Sequence, residues 1–338
     1  MATLSLLAAS FVLSFGLTGA LRWYALKAHL LDIPNRRSSH AVPVPRGGGL
    51  AVVLVFTAGL LVSAARQETS LSLLAGLLAP LIMVAAVGWL DDHRSIPALV
   101  RLLVHVLAAG LALFFLPDLP PLPLGPGQIL PALWGYPLVL LALAWAINLH
   151  NFMDGIDGIA SVEAMCVAGG AAVILWLDAE RTAPVFPLLL LAAATAGFLV
   201  WNWPPARIFM GDAGSGFLGL AIGLFALITS AGDGINLWSW LILYGFFAVD
   251  ATCTLVRRFL RREKLHEAHR SHAYQILARR WRSHRKVTCL VLAINIFWLF
   301  PLAVVSSRCP EWAAALAAAA LAPLVFWVIR VGAGTTDE

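Results

Sequence analysis

Residues 73–92 of this chain read LLAGLLAPLIMVAAVGWLDD. Residues 73–90 form an uncharged apolar run, and the two acids Asp91 and Asp92 follow it directly. A helix rises about 1.5 Å per residue, so a run of this length can cross the hydrocarbon interior of a bilayer. A helix also pairs its own backbone groups, which lipid cannot do. The stretch therefore predicts a membrane-spanning helix with two carboxylates at its end.

The composition extends this prediction to the whole chain. Of 338 residues, 60% are hydrophobic and 12% are charged, and the mean hydropathy is +0.85. Soluble domains carry about 25% charged residues, so an ordinary soluble protein is excluded. We expect one polytopic membrane domain, residues 1–338, folded as an all-α bundle of eleven transmembrane helices. The predicted spans lie near residues 3–22, 48–64, 71–90, 98–116, 133–150, 162–177, 184–201, 214–231, 237–256, 287–305 and 311–330.

The basic residues predict the orientation of the bundle. When the loops are assigned alternately to two sides, twenty of the 23 Lys and Arg residues fall on one side, and three (Arg66, Arg181 and Arg308) fall on the other. The positive-inside rule places the richer side in the cytoplasm, the N-terminus outside and the C-terminus inside. Residues 256–286 alone hold eleven basic residues. We interpret them as a basic cytoplasmic His/Arg loop.

Several functions lack support in the sequence. The chain contains no Walker A motif and no GxGxxG, so ATP hydrolysis and dinucleotide binding are not indicated. Its four cysteines are scattered without CxxC spacing, which argues against a disulfide framework or a cysteine metal site. The first apolar run has no basic residue before it, so we interpret it as a span and not as a cleaved signal. Nucleic acid is not an expected partner.

The paired acids Asp91 and Asp92 form the first of several polar clusters, all of which fall in the predicted cytoplasmic loops. Two adjacent carboxylates are costly beside hydrocarbon and repel each other. A divalent cation or a nearby arginine would offset that cost, whereas the ordinary alternative is a solvated helix end. Arg101, one turn into the next predicted span, could meet a lipid phosphate or simply extend to the membrane surface.

The second cluster is residues 148–160, NLHNFMDGIDGIA. If this stretch is helical, Asn148, Asn151 and Asp154 share one face. Asp157 follows three residues later, and the stretch contains neither Lys nor Arg. Two acids in such a segment suit a cation or a metal-bound phosphate, while a plain Asn/Asp/Gly turn is the alternative.

The third cluster is residues 202–216, NWPPARIFMGDAGSG, which contains Arg207 and Asp212. Asp212 precedes an apolar run at the glycine-rich start of a predicted helix. The free N–H groups of a helix start suit a phosphate or a metal-bound phosphate. The alternative is that Asp212 serves only as an N-cap.

The His/Arg loop is the fourth cluster, with His266, His269, Arg270 and His272 close together. These side chains could bind a nucleotide diphosphate, with Tyr274 available to stack on a base. A basic loop could instead only fix topology and contact anionic lipid. A zinc site has no support from a cysteine or a close aspartate.

Two further features complete the set. The Pro- and Gly-rich loop at residues 32–49 predicts a fixed backbone conformation. Asp250 lies inside an apolar span, about two turns before Arg257, and we expect it to pair with a cation of the following loop.

Five stretches, in this order, resemble a known family: residues 32–49, 88–92, 148–158 and 209–215, and the His/Arg loop. The chain is similar to the polyprenyl-phosphate N-acetylhexosamine-1-phosphate transferases of glycosyltransferase 4 type. Its histidine loop departs from the tight His-x-His-His of many members and is closer to the enzymes that initiate O-antigen.

The resemblance implies roles residue by residue. Asp91 and Asp92 match the paired acids that are implicated in magnesium and in the acceptor phosphate. Asn151, Asp154 and Asp157 match the nucleotide site, and Asp212 matches a magnesium ligand. We accordingly expect the catalytic, substrate-binding and metal residues to come from this set: Asp91, Asp92, Asp154 and Asp157 as catalytic; Asn148, Asn151, Arg101, Arg207, His266, His269, Arg270 and His272 as substrate-binding; and Asp212, Asp91 and Asp92 as metal ligands.

The reaction that the resemblance implies is transfer of a sugar 1-phosphate from a UDP-N-acetylhexosamine to undecaprenyl or another polyprenyl phosphate, with release of UMP. Mg²⁺ is the expected cofactor, with Mn²⁺ as a substitute, and the expected place is the cytoplasmic face of a bacterial inner membrane. The product would start a lipopolysaccharide O-antigen or another cell-wall polysaccharide. Alternatives are a peptidoglycan-type UDP-MurNAc-pentapeptide phosphotransferase, a secondary transporter of an anionic metabolite, and a non-catalytic scaffold. Whether the chain forms a homodimer stays open.

Overall fold

A computed structural model shows an almost entirely helical chain. It describes residues 2–34, 42–66, 71–116, 119–120, 123–125, 128–129, 131–177, 185–231, 234–264 and 269–335. A π-helical turn, Asn295–Leu299, lies within the helical stretch 284–308. The α-helices in chain order are α1 (Ala2–Lys27), α2 (Leu50–Ala65), α3 (Leu71–His93), α4 (Ala98–Phe115), α5 (Ala132–Phe152), α6 (Ile159–Leu177), α7 (Val185–Asn202), α8 (Asp212–Ala231), α9 (Leu237–Leu243), α10 (Gly245–Leu260), α11 (Ala273–Trp281), α12 (His284–Ile294), α13 (Phe300–Arg308) and α14 (Ala313–Val331).

The all-α membrane fold predicted from the sequence is confirmed. Within the described residues, nine helical segments are long and apolar enough to cross a membrane, and a tenth qualifies if α9 and α10 count as one span. The apolar helix α2, with 16 residues, is too short to be counted among these nine. Every predicted span contains helix, while the count of eleven and the orientation stay predictions.

The segment predicted as one span near residues 237–256 is not a single straight helix. It breaks at Tyr244, and α9 and α10 meet at 80°. Hydropathy does not register such a break, because apolar residues continue on both sides of it. The nine-residue α11 inside the His/Arg loop was not predicted either, since it is too short and too polar for a span.

The centre of the bundle is α8, whose side chains are mostly buried. It packs against α3 on one side and α5 on the other, while α7 packs against α1 and α6. Short connections join α3 to α4 and α5 to α6. As a result, the end of α3, the start of α4, the end of α5 and the start of α8 lie at the same end of the bundle.

Two short antiparallel pairs complete the described chain. Strand β1 (Leu31–Asp32) pairs with β2 (Val44–Pro45), and β3 (Pro123–Gly125) pairs with β4 (Gln128–Ile129). The segment after β2 is tied to the loop that precedes α8, because Phe209 N–H donates to the Pro45 carbonyl at 2.8 Å and Gly49 N–H to the Met210 carbonyl at 2.8 Å. These bonds join Pro45 and Gly49 to the segment before α8, while the fixed backbone conformation stays a prediction; residues 35–41 lie outside the described part.

Candidate active site

Arg101 joins two of the predicted site acids. Its Nη1 atom donates to Asp91 Oδ2 at 2.7 Å and to Asp212 Oδ2 at 2.6 Å. The second oxygen of Asp91 accepts from the Ile96 N–H at 2.6 Å, so the loop between α3 and α4 folds back onto this carboxylate. One guanidinium therefore brings together the end of α3, the start of α4 and the start of α8.

Asp92 binds the start of α8. Its Oδ1 accepts from the Asp212 N–H at 3.1 Å, and its Oδ2 accepts from the Ala213 N–H at 3.4 Å. The first N–H groups of a helix have no partner within it and carry partial positive charge, so a carboxylate is favourable there. Gly211, just before α8, has a φ of +77°, and a Cβ at this position would overlap the Asp92 carboxylate. Glycine is thus required for this approach.

Asp154 lies in the turn between α5 and α6, close to the same acids. Part of its surface remains accessible, but protein atoms surround its carboxyl. Burial, followed by the like charges of Asp212, Asp92 and Asp157, raises its pKa well above the ordinary value. Asn151, one turn earlier on α5, lies beside the Asp212 carboxylate. The structure thus gathers carboxylates from α3, the α5–α6 turn and α8 at one end of the bundle.

Asp157 faces a different side of this turn. Its Oδ2 accepts from the Ala206 N–H at 3.0 Å, and its Oδ1 lies 3.1 Å from His284 Nδ1. The Thr288 hydroxyl donates to the Asp157 carbonyl at 2.9 Å. Asp157 consequently links the α5–α6 turn to the α7–α8 loop and to α12.

A cavity of about 700 Å³ opens beside Asp157. The α7–α8 loop forms one wall with Pro204, Ala206 and Phe209. Side chains around the α11–α12 junction form the opposite wall and make it strongly basic. The basic lining residues are Arg279, Arg282, His284 and Arg285.

Asp91, Asp92, Asp154 and Asp212 are hard oxygen ligands of the kind that Mg²⁺ prefers. Arg101 is the cation that contacts two of them directly. Among the described residues, no three His, Cys, Asp or Glu side chains are arranged closely enough to hold one ion. The chemistry of these side chains fits magnesium, but at least three of them would have to come closer together to hold one ion.

The remaining predicted substrate-binding residues lie on α5, in the α7–α8 loop and just before α11. Asn148 donates to the Ala144 carbonyl of its own helix at 2.7 Å. Arg207 is exposed, and its guanidinium lies 5.9 Å from the Trp201 ring centroid. The rings of His269 and His272 lie 4.9 Å apart, and the Arg270 carbonyl accepts from Arg279 Nη1 at 2.7 Å. His266 lies outside the described residues.

One expectation about the His/Arg loop is wrong. Tyr274 cannot stack on a base, because its side chain is fully buried and its hydroxyl donates to the Phe152 carbonyl at 2.9 Å. Asp250 accepts from the N–H groups of Ala273 and Tyr274 at 2.8 and 3.0 Å, and His272 Nδ1 of the same loop lies 3.5 Å from its Oδ1. The residue type alone does not show whether a polar side chain will contact a cation or the free N–H groups at the start of a helix.

Comparison with known proteins adds to this geometry. The model of glycosyl transferase family 4 matches residues 74–230, the part of the chain that carries all five site acids. A probable undecaprenyl-phosphate N-acetylglucosaminyl 1-phosphate transferase of Bacillus subtilis is 28% identical over 86% of this chain and 81% of its own length. A decaprenyl-phosphate N-acetylglucosaminephosphotransferase of Mycolicibacterium smegmatis is 29% identical over 65% of this chain and 58% of its own. A phospho-N-acetylmuramoyl-pentapeptide-transferase of Synechococcus elongatus is 32% identical over 51% and 50%.

Together, the fold and the site define a multi-pass membrane protein with a carboxylate-rich site at one end of its helices. Such a site can hold phosphates through a cation and an arginine, which suits a transferase of phosphorylated groups. The chain is similar to glycosyl transferase family 4 over residues 74–230, and over most of its length to a polyprenyl-phosphate N-acetylglucosaminyl 1-phosphate transferase.

Proposed function

We propose that this protein transfers an N-acetylhexosamine 1-phosphate from a UDP-sugar to polyprenyl phosphate and releases UMP. The observation that carries the proposal is the junction of Asp91 and Asp212 through Arg101, with Asp92 and Asp154 beside them. Both substrates are anionic, so their reacting groups need positive charge at the membrane surface. The product is a polyprenyl-diphospho-sugar.

The cavity beside Asp157 is the proposed site of the donor nucleotide. Its Phe209 offers an aromatic face for a base, and its basic wall suits a diphosphate. The loop that contributes Phe209 continues directly to Asp212. A nucleotide in this cavity would therefore extend its diphosphate toward the acids.

Mg²⁺ would be held by Asp212 together with Asp91 and Asp92, with Asp154 as a further oxygen donor. When bound, it would neutralise the diphosphate and stabilise the leaving UMP. Mn²⁺ has similar oxygen-ligand preferences and would be expected to substitute. Arg101, released from Asp212, could contact the phosphate of the lipid acceptor.

The proposed reaction is a direct in-line displacement. A phosphate monoester has a second pKa of about 6, so the lipid phosphate is largely dianionic at pH 7 and needs no strong general base. Its oxygen forms a bond to the β-phosphorus of the donor, the bond from that phosphorus to the bridging oxygen breaks, and the electron pair leaves on UMP. Trapping a phosphorylated aspartate, or net retention of configuration at phosphorus, would overturn this mechanism.

The proposed place of the reaction is the cytoplasmic face of a bacterial inner membrane, because the sequence assigns most basic residues and all the site acids to the same set of loops. The proposed product starts an O-antigen or a related cell-surface polysaccharide, on the strength of the similarity of the His/Arg loop. The second candidate donor is UDP-MurNAc-pentapeptide, which is favoured by the 32% identity to the S. elongatus phospho-N-acetylmuramoyl-pentapeptide-transferase.

The test is UMP release by the purified full chain in detergent, with undecaprenyl phosphate, Mg²⁺ and one donor at a time. The donor panel contains UDP-GlcNAc, other UDP-N-acetylhexosamines and UDP-MurNAc-pentapeptide. We expect release with an N-acetylhexosamine donor, a loss of at least about 100-fold in Asp212→Asn, and normal rates in Glu311→Gln, an exposed acid between α13 and α14. If the protein releases no UMP from any donor, which is the result expected of a transporter, the proposal is refuted. An Asp212→Asn variant that stays active also refutes it.

A further inference from the structure

The Tyr274 hydroxyl lies directly on the turn that carries Asp154. It donates to the Phe152 carbonyl at 2.9 Å, and the ring has no exposed surface. A Cβ added to Gly155 would overlap the hydroxyl oxygen and lie 3.0 Å from Gln275 Nε2. The start of α11 therefore fits closely against both residues that flank the Met153–Asp154 pair.

The position of Tyr274 is in turn fixed by Asp250. This carboxylate has no exposed surface, and it accepts from the N–H groups of Ala273 and Tyr274 at 2.8 and 3.0 Å. The Thr254 hydroxyl donates to it at 3.1 Å, and His272 Nδ1 lies 3.5 Å away. A buried carboxylate is stable only when it is satisfied in this way, and a helix start is a favourable partner for its charge.

Asp154 needs such support for an electrostatic reason. It belongs to a non-helical turn, and the carboxylates of Asp212, Asp92 and Asp157 are close enough to raise its pKa. When these groups are ionised, their like charges repel the Asp154 side chain. The turn must therefore be held by contacts behind it if the carboxylate is to stay in place.

We propose that Asp250 and Tyr274 are positioning residues: Asp250 fixes the start of α11, and the Tyr274 hydroxyl on Phe152 and Gly155 thereby fixes the turn that aims Asp154 at the site. This inference deepens the proposed function and rests on it for the activity tests below. Neither residue touches the reacting groups in this scheme. Their effect passes through Asp154.

The first test is Tyr274→Phe, which removes one hydroxyl and keeps the ring. We expect kcat for UMP release to fall about 10- to 100-fold, as for a catalytic group displaced by about 1 Å, while KM for the lipid acceptor stays within about threefold. Tyr136→Phe, at the far end of α5, is the matched control and should keep the wild-type rate. A wild-type kcat in Tyr274→Phe overturns the inference.

A double-mutant comparison separates positioning from general support of the fold. If Tyr274 acts through Asp154, then Asp154→Asn combined with Tyr274→Phe should be no slower than Asp154→Asn alone. Multiplicative losses would show two independent effects and overturn the proposal. Gly155→Ala should also be slow because its methyl group overlaps the hydroxyl, and adding Tyr274→Phe should restore part of its activity.

The contacts that run from Asp250 through Tyr274 to the Asp154 turn are called the relay here. Hydrogen–deuterium exchange tests the relay without depending on which reaction the protein catalyses. We expect the amides of residues 152–158 to exchange at least about tenfold faster in Tyr274→Phe and in Asp250→Asn than in the wild type and in Tyr136→Phe. Unchanged exchange in both variants would overturn the relay even if UMP release were confirmed. If instead the wild type releases no UMP and exchange still rises, the proposed function fails and the relay stands.

Discussion

Replacing Arg101 with glutamine removes the only positive charge that contacts two site acids among the described residues. In the structure, Nη1 of Arg101 lies 2.7 Å from Asp91 Oδ2 and 2.6 Å from Asp212 Oδ2. Glutamine is shorter and neutral, so both carboxylates lose their ion pair. A bound Mg²⁺ would no longer have to compete with the guanidinium for Asp212. We therefore expect Arg101→Gln to bind Mg²⁺ more tightly while it catalyses more slowly.

The size of the effect follows from the geometry and the exposure of the ion pair. A hydrogen bond to a charged group contributes about 1.5–3 kcal/mol when it is protected from water, and an exposed ion pair contributes about 0–1 kcal/mol. The side chains of Arg101 and Asp212 are 30% and 26% exposed, which lies between these cases and suggests about 1–2 kcal/mol. The half-saturating Mg²⁺ concentration should fall about 5- to 30-fold.

The assay is UMP release by the purified chain over a range of Mg²⁺ concentrations with saturating UDP-sugar. For Arg101→Gln we expect a lower half-saturating Mg²⁺ concentration, a lower kcat and a higher KM for polyprenyl phosphate. Arg94→Gln makes the same charge change at an exposed position in the loop that precedes α4, and it should leave the Mg²⁺ dependence unchanged. If Arg101→Gln needs as much Mg²⁺ as the wild type or more, the guanidinium does not compete with the metal, and the reasoning is refuted.

Three further predictions concern other parts of the site. Gly211→Ala should lower the free energy of unfolding by about 1–3 kcal/mol in thermal or denaturant unfolding, because φ is +77° and the methyl group would overlap Asp92. Gly169→Ala is the control and should not lower it, because an added Cβ there would meet open space. Because the pKa of Asp154 is raised in the folded protein, the folded state keeps this proton to higher pH than the unfolded chain. In EDTA the melting temperature should therefore fall as pH rises from about 4 through the folded pKa; a slope that is as steep in Asp154→Asn would contradict this. Asp157→Asn should raise KM for the UDP-sugar about tenfold by weakening the contact with His284, and an equal rise in KM for the lipid would argue against a donor site in the cavity.

Much of the site could be predicted from the sequence because its residues stand out against an apolar background. Charged groups are rare in membrane spans, so acids at the ends of predicted helices draw attention without any structure. Asp91, Asp92, Asp154 and Asp212 were found in this way, and the structure brings all four to one end of the bundle. Their proposed roles in binding and catalysis stay predictions.

The partners of these residues could not be predicted in the same way. Nothing in the sequence near Arg101 indicates that it would bridge Asp91 and Asp212, which are 121 positions apart in the printed chain. The Tyr274 side chain suits stacking on a nucleotide base, but in the fold its hydroxyl donates to the Phe152 carbonyl. The sequence also does not indicate that the Asp250 carboxylate binds the first N–H groups of α11.

The sequence by itself determined that the chain is a helical membrane protein with acids and basic loops at the ends of its spans. Crossing a bilayer depends on the hydropathy of about 20 consecutive residues, so it can be judged from each segment alone. Only the tertiary structure decided which acids meet, which arginine joins them, where the span between α9 and α10 bends, and that Tyr274 supports the Asp154 turn. These features depend on packing between helices distant in sequence, where a shift of a few ångströms changes which polar group is within hydrogen-bonding distance.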